Sequence, residues 1–214
     1  MNSLTRHRRA LLIANANSLD IKKLVFSYTG TYTDELMTID GVNYRVLELK
    51  SNGTLTMDQL MIDEAIPFDV WCVRQGETGD DGKDRGTSTT STGVHVSHTG
   101  TGPNKVHTTK YADGANGSNG GWSMVLGAIA TDLSYTASVS TTAYLNGIIS
   151  VSGYSRNGTA WFSLPSSNNG AGGAGGDGAE SAYCEGCDYS YNSDATSGSP
   201  GTPGIVVIRI AINQ

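Results

Sequence analysis

The stretch NGAGGAGGDG at residues 169–178 decides the fold. Glycine recurs there at 170, 173 and 176, and again at 172, 175 and 178. Three other segments share that three-residue spacing. They are GETGDDGKDRG (76–86), YADGANGSNGG (111–121) and SGSPGTPG (197–204). A left-handed polyproline-II-type helix has three residues per turn. Glycine at every third position gives it one bare edge, along which such helices pack backbone to backbone. The same composition also suits flexible surface loops. Packing is the preferred reading for 114–120 and 170–178. The charged stretch 76–86 reads as a loop, because its acids need water and a backbone-packed layer offers none.

Composition agrees with an extended rather than a helical chain. Of 214 residues, 28 are glycine, and Gly, Ser, Thr and Asn together make about two in five. These are mediocre or poor helix formers. The 37% of hydrophobic residues fall in clusters, unlike those of a disordered chain. No apolar run approaches membrane-spanning length, so no membrane insertion is expected.

Outside the glycine segments the apolar pattern has period two. LVFSYTGTYT (24–33), VNYRVLELK (42–50), IPFDVWCVR (66–74), LSYTASV (133–139) and GIISVSGY (147–154) read as strands. TAWFSL (159–164) is another, and 124–130 fits a strand or a short helix. Asp40-Gly41 and Asn52-Gly53 are tight-turn dipeptides. GIVVIRIAI (204–212) is apolar on both faces and reads as a central strand. The expected fold is all-β: a β-sandwich or jelly-roll-like body with Gly-rich, polyglycine-II-like loops.

One short helix precedes it. MNSLTRHRRALL carries an apolar stripe of Leu4, Leu11 and Leu12 behind a Ser3 cap. Residues 1–20 are thus expected as a docking or oligomerising helix and 21–214 as a glycine-rich β domain. The first 23 residues hold five basic groups against Asp20, a net +4, so about −10 of the total −6 falls on the rest. An acidic body argues against nucleic-acid binding.

Three features together resemble the glycine-rich domain proteins of phage and prophage tails: the opening MNSLTRHRRALL, the run FSYTGTYT…GTLTM…IPFDVWCVRQG, and the ending SGSPGTPGIVVIRI. The resemblance runs through the chain in order, the ending being its most specific part. It departs where the family usually carries pure glycine runs and this chain has GETGDDGKDRGTSTTSTGVHVSHTGTG. The resemblance implies a virion component made in the bacterial cytoplasm: a tail fibre tip or receptor-binding protein without catalysis. Its partners would be a host surface glycan or protein, other tail proteins, and copies of itself, preferably as a trimer. The rival readings are a polysaccharide-degrading tail enzyme and a purely structural tail subunit.

No nucleophile elbow, P-loop or HExxH occurs, and no cofactor is expected. Cys184 and Cys187 form a CxxC that could supply half a zinc site. Its second half would have to come from His95, His98, His107 or Cys72, so free thiols or a local disulfide are the preferred reading. The acids Glu77, Asp80, Asp81 and Asp84 miss the EF-hand spacing and read as a solvated loop. Aromatic side chains among Ser, Gly and Asn are the usual palette of adaptable binding loops. The candidate ligand-binding residues on that ground are Tyr183, Tyr189, Tyr191, Trp122, Asn116 and Asn119. Trp122 and Trp161 fit a core role equally well.

Overall fold

The computed structural model describes residues 21–84, 95–99, 105–153, 169–185, 188 and 190–212. The expected N-terminal helix at 1–20 and the strand at 159–164 with Trp161 lie outside them. The described chain is all-β, and it divides into two compact units. No helix among the described residues is long and apolar enough to cross a membrane.

The first unit comprises the described residues within 1–75, 120–170 and 203–214. Its strands are β1 (Ser27–Tyr28), β2 (Tyr32–Ile39), β3 (Val42–Leu49), β4 (Gly53–Thr56), β5 (Pro67–Val73), β8 (Trp122–Ile129), β9 (Ser134–Val139), β10 (Ala143–Leu145), β11 (Ile149–Val151) and β14 (Ile205–Ala211). They form two antiparallel five-stranded sheets, β1-β4-β9-β10-β11 and β2-β3-β14-β5-β8. Inward residues of both sheets build one core: Leu47, Phe68, Val70, Val206 and Ile208 from one, Leu55, Tyr135, Ala137 and Leu145 from the other. This is a β-sandwich, with alternate residues of each strand turned inward.

Strand β14 sits between β3 and β5, as its two-faced apolar sequence requires. Its Ile205 and Val207 join Val46, Trp71 and Trp122 in a second cluster on the other face of the sheet. A buried ion pair lies in the same sheet. Arg209 Nε donates to Asp69 Oδ2 at 2.9 Å, and the guanidinium lies over the Tyr44 ring. The Asp40-Gly41 turn joins β2 to β3 with both residues at positive φ, the two-residue geometry that matches sheet twist. The single strand expected over 24–33 is instead two, because the chain leaves one sheet at Tyr28 and enters the other at Tyr32.

The second unit comprises the described residues within 76–119 and 171–202. Four extended segments, 76–84, 111–119, 171–179 and 194–202, lie side by side. Their backbone bonds repeat every third residue. Gly76, Gly79 and Gly82 donate to the carbonyls of Thr202, Ser199 and Thr196, while Glu77, Asp80 and Lys83 donate to those of Ser118, Ala115 and Ala112. Gly173, Gly176 and Ala179 return donors to Glu77, Asp80 and Lys83. The period is that of three residues per turn.

Glycine is required by space. A Cβ on Gly76, Gly117 or Gly173 would fall well inside 3.0 Å of the backbone carbonyl of Ala171, Glu77 or Ser199. The reading of 76–86 as a loop is therefore corrected over 76–84. Three residues per turn send Gly76 and Gly79 inward and leave Glu77, Asp80 and Asp81 exposed. The acids keep their water while the glycines between them pack.

Candidate functional site

Two of these segments run directly into strands. Residues 111–119 follow β7 (Lys105–Lys110), and residues 171–179 lead into β12 (Glu180–Glu185). With β6 (His95–Thr99) and β13 (Ser190–Ser193) they form an antiparallel sheet in the order β13-β12-β7-β6. The pairing Glu180↔Lys110 continues straight from the Tyr111 N–H bond to the Ala179 carbonyl, so the packed segments fix the sheet's register.

Register places Tyr183 opposite His107. Their rings stack with centroids 4.7 Å apart and planes 6° from parallel. His107 Nε2 lies 3.2 Å from Glu185 Oε2. Tyr183 remains 57% exposed, so it offers a ring face to solvent while the imidazole holds its other side. Glu185 adds a largely exposed carboxylate beside it. A flat aromatic surface next to hydrogen-bonding groups can stack on a planar or sugar-ring face and orient it through polar contacts. Among the described residues no group of three metal-ligating side chains occurs.

The other candidates fare differently. Tyr191 is exposed, but it pairs with Ala182, one residue out of phase with Tyr183. The two tyrosines therefore face opposite sides of the sheet and do not make one patch. Tyr189 lies outside the described residues. Trp122 is corrected from a loop anchor to a buried strand residue: it opens β8 and packs edge-on to Trp71 at 6.0 Å. A strand that carries a second apolar cluster needs such a residue on its face.

Asn116 and Asn119 each commit their side-chain oxygen to the packed segments. Their Oδ1 atoms accept the N–H of Gly175 and Gly172, both at 3.0 Å, and Asp113 Oδ1 accepts that of Gly178 at 2.9 Å. These three residues, themselves three apart, cap the donors that segment 171–179 points toward them. The signal was legible as a period of three in 113, 116 and 119, in step with the glycines. Thr202 and Thr196 hydroxyls accept the N–H groups of Ala171 and Asp177 on another side.

Cys184 is disulfide-bonded and is no thiolate metal ligand, which corrects the zinc candidate. Cys187 lies outside the described residues. Cys72 is a free, fully buried thiol whose pKa burial pushes up to about 12, so it is no ligand either. Nothing in the sequence places His107 beside Tyr183. Single-strand patterns show which residues share a face, not which strand lies alongside.

No family model matches the chain, and neither a curated protein nor a solved structure is significantly similar to it.

Proposed function

We propose that the chain is a phage tail-associated receptor-binding component that recognises a host-surface glycan through the hairpin sheet of its second unit. The single observation behind this is the Tyr183–His107 stack with Glu185 alongside. The ring is exposed, yet held on strands whose register is set by a backbone-bonded lattice. A ring already fixed before contact loses little side-chain entropy on binding. The resemblance to glycine-rich tail proteins supplies the virion setting. In this reading residues 1–20 dock the chain to other tail proteins or to two further copies, and no turnover occurs.

The test is binding of purified protein to host cells. Tyr183→Ala should weaken it by about 1–3 kcal/mol, the loss typical of an aromatic anchor. Glu185→Gln should weaken it less, because an exposed charge contributes little. Undiminished binding by Tyr183→Ala removes this surface from recognition. Release of soluble saccharide from the cells would favour the enzyme reading instead.

A further inference from the structure

The sequence contains six Asn-Gly dipeptides, at Asn52, Asn116, Asn119, Asn146, Asn157 and Asn169. We propose that one of them, Asn146-Gly147, is a site of spontaneous deamidation in the folded protein, and that the lattice of extended segments protects Asn116 and Asn119.

The chemistry sets two requirements. The backbone nitrogen of the glycine must lose its proton and attack the asparagine Cγ. The side chain must be free to swing onto that nitrogen. The new N–Cγ bond closes a five-membered succinimide, and the Cγ–Nδ2 bond breaks to release ammonia. Water then opens the ring at either carbonyl, giving aspartate or isoaspartate. The net change is one water consumed and one ammonia released, with no oxidant or catalyst needed.

Exposure does not distinguish the candidates, since Asn52, Asn116, Asn119 and Asn146 are all exposed. Hydrogen bonding does. Gly117 and Gly120 donate their N–H groups to the carbonyls of Gly173 and Gly170. The Oδ1 atoms of Asn116 and Asn119 are held by Gly175 and Gly172. Nucleophile and electrophile are therefore both pinned in the extended segment. Asn52 Oδ1 accepts the Val139 N–H at 2.9 Å, which fixes that side chain too. Gly170, after Asn169, donates its N–H to Pro203.

Asn146 differs on both counts. It stands in the short connection between β10 and β11, where Gly147 has φ +76°. Among the described residues neither its side-chain amide nor the Gly147 N–H has a hydrogen-bond partner. Gly147 is exposed, and a Cβ on it would meet nothing within 4 Å, so the turn is open at that residue. Both residues line an open depression of about 680 Å³ with Thr136, Tyr144 and Ile148. Water reaches the succinimide there and ammonia leaves freely. The product adds a negative charge to a depression whose lining has none.

The full chain is held at pH 8 and 37 °C and sampled by peptide mapping with isoaspartate detection. One arm is native and the other is unfolded in urea. In urea the Asn-Gly sites should convert at comparable rates. In the native protein Asn146 should convert at close to its unfolded rate. Asn116 and Asn119 should be about 30-fold slower, the factor for opening two ordinary hydrogen bonds before attack. Asn146→Gln, whose longer side chain closes an unfavourable six-membered ring, should abolish the signal at 146 and leave the rest unchanged. Native conversion at 116 or 119 as fast as at 146, or an Asn146 that stays intact while the urea arm converts, overturns the proposal.

Discussion

At Gly173 one methyl group separates two accounts of the same composition. In a flexible loop, Gly→Ala is neutral or slightly stabilising, because it restricts the unfolded chain. Here the added carbon collides with the Ser199 carbonyl. The neighbouring segment must move away, and the bonds of Ser199 N–H to the Ala174 carbonyl and of Gly79 N–H to the Ser199 carbonyl weaken with it. Gly173→Ala should cost about 3 kcal/mol, at 1–3 kcal/mol per orphaned group. Ser118→Ala, at an exposed position, should stay within about 0.5 kcal/mol. Urea unfolding of the two variants against wild type measures both. Asp113 makes a second case. The Gly178 N–H and then Lys110 hold its carboxyl below the ordinary carboxylate value. A depressed folded pKa gives stability that is complete above the ordinary value and lost as pH falls through the lowered one. Asp113→Asn keeps the Oδ1 acceptor and loses the charge. Its melting temperature should lie below wild type at pH 7, and the gap should narrow as pH falls below the ordinary carboxylate value. A gap that persists unchanged in acid would show that the charge contributes nothing.

Among elements, strand β5 carries the largest single liability. Asp69 sits where the β5–β8 register shifts between Phe68 and Val70. One carboxylate oxygen takes the Gly127 N–H at 2.8 Å and the other takes Arg209 Nε. The group thus ties an irregular edge to the central strand β14. Asp69→Ala should destabilise by about 3–5 kcal/mol, since it removes one member of a buried, hydrogen-bonded ion pair. Calorimetric or denaturant unfolding checks this; a loss below about 1 kcal/mol would mean that Arg209 is solvated after all. The four packed segments follow a different rule. No apolar side chain is needed between them, because their glycines let backbone amides and carbonyls meet directly. Every third position must therefore be bare, while the positions between vary freely, provided some return a side-chain acceptor as Asp113, Asn116 and Asn119 do.

For the whole molecule, the proposed function places assembly and recognition in separate parts of the chain. Deletion of residues 1–20 should leave a folded protein of reduced mass per particle, read by light scattering. An unchanged mass means that this segment does not drive assembly. The all-β class, the strands β3, β5, β9 and β14, the Asp40-Gly41 turn and the central place of β14 are legible in the sequence alone. Each is written locally, as an alternation of period two, a turn dipeptide or a two-faced apolar run. The sequence also wrote the three-residue glycine period, but not which segments obey it together. Only the tertiary structure decided that 76–84 belongs among them, because its acids compete with packing until the three-fold turn sends them outward. The sheet of β6, β7, β12 and β13 is not legible in the sequence for a related reason. HVSHT, KVHTTK, ESAYCE and SYNS carry little apolar alternation, and their register is imposed by the lattice from which two of them emerge. The stack of Tyr183 on His107 follows from that register. It joins residues 76 positions apart through contacts that no local pattern encodes.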